Sequence, residues 1–190
     1  MAWPETIVGV LKEQRVRFIN YVPDAKGERI LQVARKDDFF EILPLAREEE
    51  GIGVVCGQSV GGERGVLLMA TSGLGNSINA LASLAIPYKI PCPMIIGMRG
   101  DLGEFNQAQV PMGQALPDLL RALSIPTFKI MHEEEVARIT EGALRTGYAN
   151  ESPVAILVSN ELAGWKKGKE TLCSIAWKPR NTWSASSPTS

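Results

Sequence analysis

Histidine is almost missing from this sequence: His132 is the single one in 190 residues. A multi-histidine metal site or a Ser-His-Asp triad therefore has little material to work with. Cysteine is also scarce. Cys56, Cys92 and Cys173 are odd in number and lack C-x-x-C spacing, so the simplest expectation is free thiols in a reducing cytoplasm. An excess of charge is absent too. Twenty Lys and Arg stand against twenty-one Asp and Glu, for a net charge of −1, whereas a nucleic-acid-binding domain usually shows a basic excess. No apolar run approaches the ~20 residues that cross a bilayer, so no membrane association is expected. The opening MAWPETIVGVLKEQR has no basic start followed by an apolar run, which argues against a secretory signal. What is present is ordinary for a globular protein: 45% hydrophobic and 22% charged residues, in a length that suits one domain.

Short apolar runs alternate with longer amphipathic stretches. The runs are VRFINYV (16–22), FFEILPL (39–45), GVLLMAT (65–71), PMIIGM (93–98), PTFKIM (126–131) and PVAILVS (153–159). Runs that are apolar at nearly every position suit strands covered on both faces of a parallel sheet. Helices are expected over 4–15, 24–36, 46–58, 74–86, 114–123 and 133–150. This alternation predicts an α/β fold, a three-layer doubly wound sandwich around a six-stranded parallel sheet. Ligands in such folds sit beyond the carboxyl ends of the strands. The loops of interest are therefore 23–24, 46–50, 72–76 and 99–114. From Gly164 the composition turns to Lys, Gly, Ser and Trp. The expectation is a domain over 1–163 and a tail over 164–190, weakly ordered or docked on a partner through Trp165, Trp177 and Trp183.

Three segments have the composition of a site. Ser72-Gly73-Leu74-Gly75-Asn76 follows a strand and reads as a turn opening a helix, with Asn76 or Ser77 as N-cap. Its glycines either admit a ligand to the backbone or serve turn geometry alone. Arg47-Glu48-Glu49-Glu50 is a solvated first helical turn, or carries one carboxylate inward with a raised pKa. The segment 99–114 is long for a βα connection, and it covers an edge, forms an interface or contacts substrate. His132, just before an acidic helix start, reads as an exposed or capping residue.

Taken in order, LAREEEGIGVVCG, LLMATSGLGNSINALASL, IPCPMIIGMRG and NQAQVPMGQ resemble the pyrimidine-binding (PYR) domain of thiamine-diphosphate-dependent decarboxylases. The Val-Pro-Asp at 22–24 fits the same pattern, and the resemblance covers about residues 5 to 160. It is nearest to the branch acting on sulfopyruvate, with the phosphonopyruvate branch next. The resemblance implies that Glu48, nine residues before Gly57, hydrogen-bonds N1′ of the cofactor's pyrimidine and so promotes loss of the thiazolium C2 proton. Glu49 and Glu50 stand close enough to compete for the role. It further implies cofactor contacts from Pro23, Ser72, Gly73, Leu74, Gly75 and Asn76. Substrate contacts would come from Arg99, Gln107 and Gln109, because a keto acid with a sulfonate or phosphonate needs cationic and amide donors. No metal ligand is expected on this chain. Magnesium and the diphosphate would be held by a separate beta chain through a Gly-Asp-Gly segment and an Asn, with the active site at the junction of two chains in a homo- or hetero-oligomer. A phosphonopyruvate decarboxylase subunit, or a PYR-like module that binds or regulates without catalysis, are the competing readings.

Overall fold

The computed structural model describes residues 2–164. The expected tail lies outside these residues except for Gly164. Six strands form one sheet: β1 (Phe18–Tyr21), β2 (Glu41–Pro44), β3 (Gly65–Ala70), β4 (Cys92–Gly97), β5 (Thr127–Ile130) and β6 (Pro153–Val158). Every pairing is parallel, in the order β2-β1-β3-β4-β6-β5. The register stacks Ile19 beside Ile42 and Val66, and Ile95 beside Leu68 and Ile156. Strands β4 and β6 are buried at every position, which is why their sequences are continuously apolar. The edge strand β2 is mostly exposed, and Glu41 and Pro44 belong to it.

Six longer helices cover the two faces. They are α1 (Trp3–Glu13), α2 (Ala25–Ala34), α3 (Glu48–Val60), α4 (Thr71–Ala80), α5 (Val110–Ala122) and α6 (Val136–Ala149); a single turn, α7 (Asn160–Ala163), follows β6. Helices α1, α2 and α6 pack together over one core, built on Trp3, Ile7, Leu11, Ile30 and Leu144. Helices α3, α4 and α5 close the other, built on Ile52, Leu67, Met69, Leu74 and Leu116. The three-layer doubly wound sandwich is therefore present with all six strands in their expected places.

Helix α6 starts at Val136, with Glu133–Glu135 in a 3₁₀ turn before it, and two further departures from the sequence reading matter for the site. First, 72–76 is not a turn. Helix α4 begins at Thr71, directly after β3 ends at Ala70, and Ala70 is its N-cap residue. Asn76 and Ser77 are inside the helix, where the Ser77 hydroxyl donates to the Gly73 carbonyl at 2.9 Å. The glycines masked helical periodicity, and the first turn has no capping side chain to mark its start. Helix α4 also gives way to a π-helical stretch over Leu81–Ala85 instead of running on as one α-helix. Second, the connection after β4 is shorter than 99–114, because Gln107–Gln109 form a 3₁₀ turn and α5 starts at Val110. Pro111, which reads as a helix breaker, sits in the first turn, where its missing N–H costs nothing.

Candidate functional site

The strand order reverses on either side of β1 and β3, so their carboxyl ends border the crevice where ligands bind in open α/β sheets. Three chain segments meet there: the link into α2, the start of α3 and the start of α4.

The first turn of α3 separates its three acids. Glu49 pairs with Arg47 at 2.8 Å. Glu50 turns back and accepts the Ala46 N–H at 3.0 Å, serving its own helix end. Glu48 does neither, and among the described residues no hydrogen bond or ion pair holds its carboxylate. Its side chain is half-buried and lies across Gly73 in the first turn of α4. A Cβ on residue 73 would stand 2.3 Å from Glu48 Cγ and 2.4 Å from Oε1. Gly73 is thus required by a close approach: any larger residue would occupy the space of the carboxylate. The start of α4 bears no acid of its own, so the Glu48 charge also faces the positive end of that helix.

Helix α4 is aimed by Thr71. Its buried hydroxyl donates to the Gly97 carbonyl at 3.2 Å and accepts the Arg99 N–H at 2.8 Å, tying the end of β3 to the end of β4. Leu74 faces the core with no exposure, so only its backbone is available to a ligand. Ser72 and Asn76 are exposed, Gly75 is half-buried against Met112, and Pro23 is exposed in the link between β1 and α2.

The loop after β4 is held by internal ion pairs. Arg99 grips Glu104 through two bonds, Nε to Oε2 at 2.7 Å and Nη2 to Oε1 at 3.0 Å. Glu104 also accepts the N–H groups of Gly100 and Asn106. Asp101 accepts Lys129 Nζ at 3.0 Å and the Asn160 N–H at 3.2 Å. The guanidinium expected to meet substrate is therefore occupied by a carboxylate of its own loop. Gln107 is exposed and Gln109 half-buried, both in the 3₁₀ turn, and among the described residues neither side chain is hydrogen-bonded to the Arg99–Glu104 pair. His132 is exposed, with its N–H bonded to Glu135 Oε2, and stands 4.0 Å from Glu161.

The Arg99 hydrogen bonds hold the Glu104 carboxyl down at about 2, against an ordinary 4.5. A carboxyl with a depressed folded pKa contributes stability above its unfolded value and loses that contribution as pH falls toward the folded one. Protection of the amides of residues 100–106 in hydrogen exchange is thus expected to be full above about pH 4.5 and to fade toward pH 2. Glu104→Gln is expected to remove this dependence.

Beside the loop lies a cleft of about 270 Å³ lined by Asp24, Lys26, Arg29, Arg99, Phe105 and Asn160, among others. Sequence reasoning noticed Asp24 in the Val-Pro-Asp run but passed over Lys26 and Asn160. Asp24 caps α2 by accepting the N–H groups of Lys26 and Gly27. Lys26 Nζ donates to the Met98 carbonyl and to Asn160 Oδ1. Burial pulls its pKa below the ordinary lysine value. The signal available in sequence was an Asp-x-Lys at a helix start just after a buried strand. Among the described residues, no group of three or more His, Cys, Asp or Glu is placed to hold a metal, and no helix is long and apolar enough to cross a membrane.

The same architecture occurs in solved structures. The chain superposes with a TM-score of 0.69 on 29% of a 2-oxoglutarate:ferredoxin oxidoreductase from Magnetococcus marinus. It superposes with a TM-score of 0.67 on 31% of a thiamine diphosphate-dependent 4-hydroxybenzoylformate decarboxylase from Rhodococcus jostii RHA1. Identity is 17% in both cases, so these share the fold. No family model matches the chain. Sequence relatives are much nearer. The alpha subunit of sulfopyruvate decarboxylase from Methanococcus maripaludis is 42% identical over 154 residues, which is 81% of this chain and 92% of that protein. The chain belongs to the sulfopyruvate decarboxylase alpha-subunit family. A longer sulfopyruvate decarboxylase from Methanosarcina acetivorans is 32% identical over 82% of this chain, which corresponds to 39% of its own length. A phosphonopyruvate decarboxylase from Streptomyces viridochromogenes is 39% identical over 41% of this chain and 20% of its own.

Proposed function

We propose that this chain is the pyrimidine-binding alpha subunit of a two-chain thiamine-diphosphate-dependent decarboxylase that converts 3-sulfopyruvate to sulfoacetaldehyde and carbon dioxide. The observation that carries the reading is the Glu48 carboxylate laid over Gly73 at the crevice, with no partner of its own among the described residues. A ring nitrogen needs such a carboxyl, and the absent Cβ of Gly73 gives the Glu48 side chain the room to lie there.

When bound, thiamine diphosphate would supply the electron sink that decarboxylation of a keto acid requires. The residues of this chain act around it. Glu48 Oε1 or Oε2 holds the proton shared with pyrimidine N1′. Glu49 and Glu50, engaged with Arg47 and Ala46, keep out of that role. Thr71 fixes the direction of α4, so that the backbone of Ser72, Gly73, Leu74, Gly75 and Asn76 lines the pyrimidine side of the crevice together with Pro23. Arg99, locked to Glu104, holds the loop from which Gln107 and Gln109 reach the substrate. Magnesium and the diphosphate are assigned to a beta chain, whose absence would leave this subunit with half a site. A reducing, cytoplasmic setting suits the buried free thiols of Cys56 and Cys92.

The Methanosarcina relative supports the two-chain reading, because it pairs a region like this one with as much again and more in a single polypeptide. The shorter match to phosphonopyruvate decarboxylase keeps phosphonopyruvate as the second substrate to test. The test is reconstitution with the diphosphate-binding chain, followed by carbon dioxide release on both keto acids. Turnover that requires both chains, thiamine diphosphate and magnesium, with higher kcat/KM for sulfopyruvate, is expected. Absence of thiamine diphosphate binding even with the partner chain present would favour a non-catalytic module.

A further inference from the structure

We propose that Lys26 is the cation that selects a keto acid carrying a second, tetrahedral oxyanion. The inference deepens the proposed function and rests on it. The sequence pointed to Arg99 for this work, but both of its bonded nitrogens are spent on Glu104. Lys26 is placed differently. Its ammonium has three donors, and the two bonds seen go to neutral oxygens, the Met98 carbonyl and Asn160 Oδ1. The adjacent Asp24 carboxylate is taken up by the backbone N–H groups at the start of α2. A largely buried charge with neutral acceptors leaves one donor uncommitted among the described residues. It also sits where Coulomb attraction is screened less than in water.

The surroundings suit a small dianion. The cleft of about 270 Å³ is lined by Lys26, Arg29 and Arg99 against Asp24 and Glu104, one positive charge in excess before substrate enters. Its position is also suitable. Asp24 and the Lys26 stem lie over Gly97 at the end of central strand β4, where a Cβ would stand 2.6 Å from Asp24 Oδ2 and 3.2 Å from Lys26 Cβ. The Gly97 carbonyl is bonded to Thr71, two residues before the Gly73 on which Glu48 rests. The carboxylate assigned to the cofactor and the cation assigned to the substrate tail thus flank the ends of two adjacent strands. One end of a three-carbon acid would lie at the chemistry and the other at Lys26.

The test uses the full chain assembled with its diphosphate-binding partner. Lys26→Gln removes the charge and keeps hydrogen-bonding capacity, Lys26→Arg restores the charge, and Lys26→Met is a second neutral variant should the first fold poorly. Kinetics are measured on sulfopyruvate, phosphonopyruvate and pyruvate, whose tail is uncharged. Binding of sulfoacetate, which cannot decarboxylate at a keto carbon, is measured by calorimetry. The neutral variants are expected to raise KM for both dianions about tenfold or more with pyruvate little changed, and Arg is expected to recover most of the loss. Sulfoacetate binding should weaken in parallel. Equal losses on all three acids, or unchanged sulfoacetate binding, would overturn the proposal. The calorimetric arm reads Lys26 even if the wild-type assembly turns over neither dianion, a result that would count against the proposed function instead.

Discussion

Glu48→Gln, assembled with the partner chain and thiamine diphosphate, is expected to lose decarboxylation by about 10²-fold or more while folding normally. The amide is close in size and shape to the acid, so contact with Gly73 should survive. It cannot exchange a proton with a ring nitrogen near neutral pH. Because Glu48 has no hydrogen bond or ion pair among the described residues, its replacement gives up only the attraction to the helix ends it faces, worth about 0.3–1 kcal/mol, and the melting temperature should fall little. Cofactor affinity is expected to change less than turnover. The parallel change Gly73→Ala should reproduce much of the loss by a different route, since its methyl would stand 2.3 Å from Glu48 Cγ and push the side chain aside. Full turnover by Glu48→Gln would remove the proposed role of this acid.

Gly113→Ala is expected to damage the fold instead, by about 3 kcal/mol or more. A Cβ at 113 would stand 1.9 Å from the Arg99 carbonyl oxygen and 2.6 Å from Gly100 Cα. These are backbone atoms and cannot rotate away as the Glu48 side chain can. Relief requires α5 and the Arg99–Glu104 loop to separate, which would disturb the closing of one face of the sheet. Thermal unfolding should show a drop of several degrees, at about 2–4 °C per kcal/mol for a chain of this size. Paired with Gly73→Ala, it distinguishes a glycine that serves the site from one that serves the scaffold.

The layers and the six strands were legible because their signal is dense. GVLLMA and PVAILV are short, continuously apolar and rich in branched residues, as strands covered on both faces are, and the charged first turn of α3 and the acidic 3₁₀ turn Glu133–Glu135 ahead of α6 stand out beside them. The start of α4 was hidden because Ser-Gly-Leu-Gly-Asn carries turn residues in a helical conformation, and Ala70 offers no capping oxygen. In the site, the resemblance and the spacing to Gly57 singled out Glu48, but the acidic run by itself could not separate three neighbouring glutamates. Their different neighbours do that: Arg47 for Glu49, the Ala46 N–H for Glu50, and Gly73 for Glu48. Arg99 was singled out as the certain cation in a long loop. Pairing with Glu104 is a matter of loop geometry, which composition does not reveal. Lys26 was passed over for the converse reason, since a lysine in a first helical turn looks like a solvated residue until the Met98 carbonyl and Asn160 are brought to it by separate strands.

Helix α4 leaves β3 without a single intervening residue. Each residue advances a helix by about 100°, so adding or removing one at this seam would swing Gly73 away from Glu48 and carry Leu74 out of the core at the same time. Sites built on flexible connections can drift by gaining or losing length. Here, change is confined to exchanging side chains at a fixed count, and grafting this corner of the fold onto another scaffold would mean transplanting strand and helix together.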